Sequence, residues 1–195
     1  MKEQIRDFDP QAVITKDNVS VKGSYAGGLF GQINSGVVSN CYSRANLKGY
    51  SSTSYKGAFA ATICFSGSKS GKTFSGNMGI VEYSYFAGTF DSTGNNRIDL
   101  VEAGAGKSGS SVHNDQNTRT VGFMFDYVYD KNLASNASYD GTAGDKVLFF
   151  GGKDRAEAAK TSSEMQTQST YTNRGFSGSY WRYSGYPTLS SEIAC

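Results

Sequence analysis

Asp126 and Asp130 are the two residues of this chain whose type and spacing come closest to catalytic chemistry. They lie an even number of residues apart in V-G-F-M-F-D-Y-V-Y-D, so on a β-strand both side chains would face the same side. Paired carboxylates can act as the acid and the nucleophile or base of a glycoside hydrolase. The alternative is structural, with Asp130 in a turn and Asp126 exposed on a strand. We prefer the structural interpretation, because carboxylate pairs arise freely and their separation is not given by the sequence.

Gly71-Lys72-Thr73 matches the end of a phosphate-binding loop. That motif requires a glycine where this chain has Ser66. It also requires a following helix whose N-terminal amides hold the phosphates, whereas F-S-G-N-M-G follows here and is not a helix pattern. The stretch therefore predicts a glycine–serine loop and no nucleotide site.

A second glycine-rich stretch contains side chains that could coordinate calcium. They are Asp91, Asn95, Asp99 and Glu102. Their spacing fits no EF-hand loop, and acidic residues are common in glycine-rich loops without a metal. The only histidine, His113, has no Asp or His partner at motif spacing, which argues against a metal site or a Ser-His-Asp triad. A solvated loop is expected, with no metal and no cofactor.

Three cysteines, Cys41, Cys64 and Cys195, leave at least one outside any disulfide within a single chain. Cys41 and Cys64 fall in neighbouring copies of a repeat described below and could form a disulfide in an exported protein. The preferred alternative is that both are small buried thiols. Cys195 is terminal and expected to be exposed, and the sequence has no C-x-x-C pair that would indicate a zinc knuckle.

The elements that must hold these residues are short strands in a degenerate repeat. Residues 24–49 contain two apolar runs separated by an Asn-Ser-Gly turn, which is typical of two strands. Stacking such copies gives each strand a neighbour to bond, so the repeat predicts a β-solenoid. Residues 56–60 align with 27–31, 79–85 with 36–42, 88–90 with 45–47 and 18–23 with the segment ending at Gly49, while 121–125 form a third opening.

Gly28-Leu29-Phe30-Gly31, followed by S-G-V-V-S-N-C-Y, resembles the GLUG motif of bacterial secreted and surface proteins, many of them adhesin-like. The C-terminal third is similar to the pattern that follows the last repeat in that family. Its matching segments are Y-D-K-N at 129–132, K-T-S-S-E-M-Q-T-Q-S-T-Y with Thr161, Glu164 and Met165, and Trp181 followed by G-Y-P-T-L with Pro187. The resemblance covers most of residues 18–190 and implies an exported, adhesin-like repeat protein.

Composition agrees with many short strands: 24 glycines, 13 tyrosines and 12 phenylalanines stand beside only two prolines. We predict an all-β fold, a parallel β-solenoid (β-helix-like) of short rungs with loop insertions and a small C-terminal helical and aromatic cap. The predicted organisation is a lead-in at 1–17, solenoid repeats at 18–153 with insertions at 66–78 and 91–117, and a cap at 154–195.

The cap is predicted from two capping-box patterns, which begin at Asp154 and Thr161 and would each start a short helix. Trp181 is expected to pack over the last coil rather than stack on a ligand, since buried aromatics dominate core energetics. No matching lid is evident at the N-terminal side. This asymmetry favours either an upstream continuation of the solenoid or docking against a partner subunit.

Charge and hydropathy exclude several classes of function. The net charge is +2 with scattered lysines and arginines, so no nucleic-acid footprint is present. No apolar run approaches membrane-spanning length, and the first residues contain no apolar signal core. Because the first repeat starts part-way, we interpret the chain as a fragment of a larger extracellular or cell-surface protein whose signal lies upstream.

The preferred hypothesis is a non-enzymatic binding module that recognises a glycan or a cell-surface protein through loops on a rigid scaffold. A polysaccharide-acting β-helix enzyme is one alternative. A structural or fibre-tip domain of an oligomeric surface fibre, such as a trimer, is the other. The candidate binding residues are Lys69, Lys72 and Phe74 in the first insertion, Asn95, Arg97 and His113 in the second, and Tyr127 and Tyr129 beyond it.

Overall fold

The computed structural model describes residues 14–15, 19–33, 36–70, 73–98, 101–103, 124–138 and 155–192. These residues are mostly strand, with only short helical segments, which confirms the predicted all-β class. The described strands are β1 (Ile14–Thr15), β2 (Ser20–Gly23), β3 (Tyr25–Gly27), β4 (Phe30–Ile33), β5 (Gly36–Ser39), β6 (Tyr42–Ser43), β7 (Asn46–Gly49), β8 (Tyr55–Gly57), β9 (Ala60–Ser70), β10 (Thr73–Glu82), β11 (Tyr85–Phe86), β12 (Thr89–Phe90), β13 (Asn95–Arg97), β14 (Val101–Ala103), β15 (Met124–Phe125), β16 (Val128–Asp130), β17 (Ala159–Lys160), β18 (Trp181–Arg182) and β19 (Thr188–Leu189). The helical segments are α1 (Arg155–Ala158), a 3-10 helix (Glu164–Gln166) and α2 (Gln168–Thr172).

Three sheets are built from parallel strands that successive stretches of the chain contribute. Their strand orders are β1-β6-β11-β16-β17, β12-β7-β2 and β13-β8-β3. Tyr42 pairs with Tyr85, and Tyr85 pairs with Val128. In the second sheet Asn46 pairs with Thr89, 43 residues further along the chain. In-register parallel pairing gives the backbone amides and carbonyls of one stretch their partners in the next.

The register confirms most of the sequence alignment and corrects two parts of it. Residues 79–82 pair with 36–39, 89–90 with 46–47 and 20–23 with 46–49, as predicted. The alignment of 56–60 with 27–31 is wrong by one residue, because Gly57 pairs with Gly27 rather than lying over Gly28. Small residues fill this stretch, so the sequence contains little to fix the register.

The predicted third opening at 121–125 is also wrong. Met124 pairs with Val81, so this segment corresponds to the second strand of the repeat and not to its opening. The V-G-F sequence resembles an opening, but the alignment of Val128 with Tyr85 decides the register. Residues 121–123 lie outside the described residues.

The first predicted insertion is a β-hairpin and not a glycine–serine loop. Strands β9 and β10 pair antiparallel from Phe65 with Met78 to Ser70 with Thr73. The sequence of this stretch is rich in glycine, serine and lysine and has no apolar alternation, so it did not predict a strand. The two strands are instead held together by main-chain hydrogen bonds between them. The base of the hairpin also joins parallel pairs: β4 and β14 pair with β9, and β5 and β15 pair with β10.

The second predicted insertion starts too early at residue 91. Strand β13 pairs in parallel with β8, and β14 pairs in parallel with β9, so residues 95–97 and 101–103 belong to the sheets. Asn95, Asn96 and Arg97 are poor strand formers, and pairing with the preceding stretch overrides that preference. The remainder of the predicted insertion, 104–117, lies outside the described residues.

Glycine permits close backbone approach where β3 and β8 end. A Cβ added at Gly27 or at its partner Gly57 would lie 1.6 Å from the carbonyl oxygen of Phe30 or Ala60. A Cβ at Gly28 would lie 2.0 Å from the Ala58 carbonyl oxygen. Each of these glycines is therefore required by packing.

Three equivalent corners place a residue other than glycine at positive φ. Asn40, Tyr83 and Asp126 have φ values of 53°, 44° and 43°. Each lies just before the Tyr42–Tyr85–Val128 ladder, after β5, β10 and β15 respectively. Asparagine and aspartate tolerate this conformation better than other side chains, whereas for tyrosine it is an outlier. The repetition shows that the corner geometry is a property of the fold rather than of one sequence.

The core has two parts. One fills the space among the sheets and includes Leu47, Phe59, Val81 and Phe86. The other joins the first sheet to the C-terminal region, where Tyr42 and Tyr85 pack with Trp181. Met165, Tyr171, Phe176 and Leu189 also belong to this second cluster.

Hydroxyl groups tie the C-terminal region to the first sheet. Tyr85 donates to the Pro187 carbonyl oxygen at 2.6 Å, and Tyr42 donates to Glu192 Oε1 at 2.8 Å. Burial raises the pKa of both tyrosines well above the usual value, so the hydroxyls stay protonated and act as donors. The C-terminal segment is therefore held by specific polar contacts as well as by aromatic packing.

Reciprocal capping-box hydrogen bonds form between Thr161 and Glu164. The Thr161 amide donates to Glu164 Oε2 at 2.7 Å, and the Glu164 amide donates to Thr161 Oγ1 at 3.2 Å. The helical segment that follows is a single 3-10 turn beginning at Glu164. Asp154, the start of the other predicted box, lies outside the described residues.

Candidate functional site

A row of side chains, two exposed tyrosines and a half-buried asparagine, crosses the β3-β8-β13 sheet. Tyr25 and Tyr55 are 59% and 38% exposed, and their rings stack with centroids 5.6 Å apart and planes at 24°. Asn95 pairs in register with Tyr55, so it continues the row on the next strand. In-register parallel strands bring equivalent side chains into one line on one face. We call Tyr25, Tyr55 and Asn95 the tyrosine strip.

Strand β8 exposes an aromatic residue and buries a charged one, which is the reverse of the usual preference. Tyr55 points outward, whereas the next residue, Lys56, is completely buried. Alternation along a strand forces neighbouring side chains to opposite faces. Lysine is almost never fully buried unless it is paired. A tyrosine outside and a lysine inside is not what stability alone favours, and such departures tend to mark functional positions.

The buried lysine is satisfied by one acidic residue and its loop. Lys56 Nζ contacts Asp91 Oδ1 and the carbonyl oxygen of Thr93, and it donates to the Asp91 carbonyl oxygen at 3.1 Å. Asp91 Oδ1 also accepts from the amides of Gly49 and Thr93, both at 3.1 Å. Desolvation raises the pKa of Asp91, but the hydrogen bonds from Lys56, Gly49 and Thr93 together outweigh it and lower that pKa. The resulting ion pair anchors β8 beneath Tyr55.

A third exposed tyrosine lies beyond the end of β7. Tyr50 is 71% exposed, and Lys22 Nζ lies 5.4 Å from the centroid of its ring. The backbone of Tyr50 is fixed, because its amide donates to Ser54 Oγ at 2.9 Å. A cation over an exposed ring contributes modestly to the ordering of that ring.

Exposed tyrosines offer an apolar ring and a hydroxyl that can donate and accept. Such groups make large contacts at low conformational cost and suit the faces and hydroxyls of sugar rings. The sequence analysis did not single out Tyr25, Tyr50 or Tyr55. The correct register of β3 and β8 would have found the first pair, since it places Tyr25 directly beside Tyr55.

Among the predicted binding residues, Asn95 and Arg97 lie on β13. Asn95 belongs to the tyrosine strip, and Arg97 Nη1 donates to Ser138 Oγ at 2.5 Å. Tyr127 and Tyr129 are a correction: both are buried in the core, so they form no binding surface. Alternation does not expose Tyr129, because every residue of β16 is buried, and Tyr127 is buried directly before that strand.

The other predicted binding residues are not placed by the structure. Lys69 and Phe74 belong to the hairpin and pair with each other through the main chain, and only their backbone is described. Lys72 and His113 lie outside the described residues. Their proposed roles stay predictions.

The carboxylate pair considered for catalysis is not a pair on one strand. Asp126 lies at a corner between β15 and β16, whereas Asp130 ends β16. Asp130 is fully buried, and its carboxylate accepts from the amides of Asn132 and Leu133 and from the Tyr186 hydroxyl. This aspartate therefore has the structural role that we preferred, and it offers no accessible acid or nucleophile.

Cys41 is buried, and its Sγ lies 3.3 Å from the carbonyl oxygen of Ser39. The side chain of Cys64 and the whole of Cys195 lie outside the described residues, so the predicted Cys41–Cys64 disulfide stays a prediction. Within the described part of the chain, no group of histidine, cysteine, aspartate and glutamate side chains could hold a metal ion. No helix in the same part is long and apolar enough to cross a membrane.

Comparison with protein-family models, curated proteins and solved structures found no match to this chain. Arguments about function therefore depend on the residues and their geometry.

Proposed function

We propose that the chain is a parallel β-solenoid of an exported, adhesin-like protein, and that its tyrosine strip binds glycan on another cell or surface. The observation that carries this proposal is the exposure of Tyr25 and Tyr55 as a stacked pair, next to a buried Lys56 that is ion-paired with Asp91. A rigid sheet with aromatic groups on its surface suits a ligand made of repeated rings.

The solenoid part of the proposal is supported by the strand ladders. The chain enters the same three sheets in the same order, and the corners at Asn40, Tyr83 and Asp126 repeat in conformation. Stacked repeats of this kind contact mainly their neighbours and present extended surfaces. The resemblance of residues 28–31 and of the C-terminal third to the GLUG pattern is consistent with export and surface display.

The binding part is supported by the chemistry of the strip. Among the described strands, the strand of Tyr25 is the outer one of its sheet. One face of the Tyr25 ring stacks on Tyr55, and the side chain remains largely exposed because no described strand lies on its other side. Asn95 adds an amide that can donate and accept at the other end of the row. The tyrosine rings can stack on sugar rings, and the amide can form hydrogen bonds with sugar hydroxyls. The strip itself carries no charge that would attract a charged ligand.

Binding to a glycan array tests the proposal. We expect the intact chain to bind at least one neutral oligosaccharide, and Tyr25→Ala and Tyr55→Ala to weaken binding about tenfold, or about 1.4 kcal/mol. Tyr180→Ala removes another exposed tyrosine, from the C-terminal region, and should bind like the parent.

Equal binding by all three variants would exclude the strip as the site. Retained binding to a cell-surface protein but to no glycan would favour a protein ligand instead. Thermal unfolding of each variant checks that the fold persists, since the Tyr25–Tyr55 pair itself is worth only about 0.2–1 kcal/mol.

A further inference from the structure

A polar pocket of about 300 Å³ lies between the end of the parallel strands and the helical segment α2. Its walls come from α1, β17 and α2 and from the two residues that follow α2. The lining residues are Glu157, Lys160, Ser169, Thr170, Asn173 and Arg174. Its volume falls at the lower end of the range for small-molecule sites.

Arg174 is the unusual member of this lining. It is 7% exposed, and its Nη1 donates to the carbonyl oxygen of Tyr127 at 3.3 Å. Its Nη2 lies 3.7 Å from Glu157 Oε2, which is too far for a hydrogen bond. A guanidinium carries five N–H donors, so these contacts leave most of its donor capacity unused. The remaining N–H groups could donate to a ligand that enters the pocket.

The side chains that line the pocket carry more positive than negative charge. Arg174 and Lys160 contribute two positive charges, and Glu157 contributes one negative charge from a side chain that is 57% exposed. Burial lowers the pKa of Arg174, and the carboxylates of Glu157 and Asp126 raise it, so two acidic groups partly offset the cost of desolvating the guanidinium. A planar carboxylate could accept two parallel hydrogen bonds from it.

The rest of the lining suits a hydroxylated ligand. Ser169, Thr170 and Asn173 provide two hydroxyl groups and an amide, and each can both donate and accept. Sugar hydroxyls have the same dual character. Among the described residues, no apolar side chain lines the pocket, so the lining favours a polar ligand.

We propose that this pocket binds the carboxylate of an acidic sugar, with Arg174 and Lys160 holding the anion and the α2 side chains contacting the hydroxyls. Glu157 competes with the ligand for Arg174 and lowers the affinity. The pocket is separate from the tyrosine strip in residues and elements, so the proposal does not depend on glycan binding there.

Isothermal titration of the full chain with glucuronate tests the pocket, with glucose and acetate as matched probes. Glucuronate is expected to bind, glucose to bind at least tenfold more weakly because it lacks the carboxylate, and acetate to bind more weakly because it lacks the hydroxyls. Equal binding of glucose and glucuronate would overturn the anion site. Equal binding of acetate and glucuronate would overturn the sugar assignment, and no binding of glucuronate would overturn both.

Variants assign the binding to the named residues. Arg174→Lys keeps the charge but loses the paired donors, and we expect glucuronate affinity to fall at least tenfold. Lys160→Gln should weaken binding by a smaller factor, and Glu157→Gln should strengthen it. Lys48→Gln removes an exposed lysine on β7 and should change nothing. If Arg174→Lys fails to fold, the opposite responses of Lys160→Gln and Glu157→Gln decide the matter, and unchanged affinity in both would overturn the proposal.

Discussion

The indole Nε1 of Trp181 donates a hydrogen bond to Oδ1 of Asn40 at 3.2 Å, across 141 residues of sequence. Both residues are buried. Asn40 occupies the first of the three positive-φ corners, and Trp181 packs against Tyr42 and Tyr85 beside it. A single asparagine thus satisfies the tryptophan and adopts the backbone conformation that the corner requires.

Substitution of Asn40 separates these two contributions. Asn40→Gly keeps the positive φ without steric cost but leaves the indole without its acceptor, a loss of about 1–3 kcal/mol. Asn40→Ala loses the acceptor and adds the steric cost of the left-handed conformation, about 1–2 kcal/mol more. Urea unfolding should therefore rank the parent above Asn40→Gly and Asn40→Gly above Asn40→Ala. Equal stability of the two variants would show that the corner conformation is not strained for alanine.

The two glycines of the Gly28-Leu29-Phe30-Gly31 segment should respond differently to alanine. A Cβ at Gly28 would lie 2.0 Å from a backbone carbonyl oxygen, whereas a Cβ at Gly31 would meet nothing within 4 Å. Gly28→Ala is expected to cost about 1–3 kcal/mol through overpacking. Gly31→Ala should be neutral or stabilising by up to about 1 kcal/mol, because it restricts the unfolded chain. Thermal unfolding of the pair checks this, and a large loss from Gly31→Ala would contradict it.

Acidification should weaken the fold through Asp91. The folded pKa of Asp91 lies below its ordinary value of 3.8, so its contribution is complete above that value and is lost as the pH falls through the lowered folded value. Asp91→Asn should remove this pH dependence and cost about 3 kcal/mol at neutral pH, because Lys56 is left buried without its counterion.

Lys56→Met is the control for the same ion pair. It removes the buried charge and fills a similar volume. The Asp91 that it leaves behind is 33% exposed and keeps its hydrogen bonds from the amides of Gly49 and Thr93. Asp91→Asn should therefore be clearly more destabilising than Lys56→Met in urea unfolding at pH 7. If Lys56→Met were the more destabilising variant, the argument that the buried lysine charge requires Asp91 as its counterion would be wrong.

Alkaline conditions should weaken the contact between Tyr186 and Asp130. Burial and then the hydrogen bond to Asp130 Oδ2, 2.6 Å long, raise the pKa of Tyr186 from 10.0 to about 12. The stabilisation is complete below pH 10.0 and disappears as the pH rises toward 12. Tyr186→Phe should cost about 1.5 kcal/mol at pH 7 and show a shallower loss between these limits. Tyr180→Phe, at an exposed position, should follow the parent, and parallel pH profiles for all three proteins would contradict the assignment.

How far the sequence predicts this fold depends on how distinctive each stretch is. Val81 and Tyr85 lie in a pattern that repeats clearly from Val38 to Tyr42, and the predicted register there is confirmed. The opening around Gly57 consists of small residues, and the prediction slipped by one position. That slip concealed the pairing of Tyr25 with Tyr55, because a register error of one residue moves every side chain to the other face.

The candidate sites were less predictable than the fold. Tyr127 and Tyr55 are the same residue type, and only the tertiary structure shows that one is buried and the other exposed. The pocket at the C-terminal region depends on Arg174 reaching the carbonyl oxygen of Tyr127, 47 residues away in the chain. No local pattern encodes such a contact.

The antiparallel hairpin of β9 and β10 has a consequence for the order of folding. Ser70 pairs with Thr73, three positions further along the chain, so the ladder begins with a very local contact and can form within about 1–10 μs. The parallel pairs, in contrast, join residues such as Asn46 and Thr89 that are 43 positions apart. Contacts of that sequence separation form slowly, because chain entropy is lost before they contribute. Since β4, β5, β14 and β15 all pair with this hairpin, it offers a template on which the slower parallel strands can assemble.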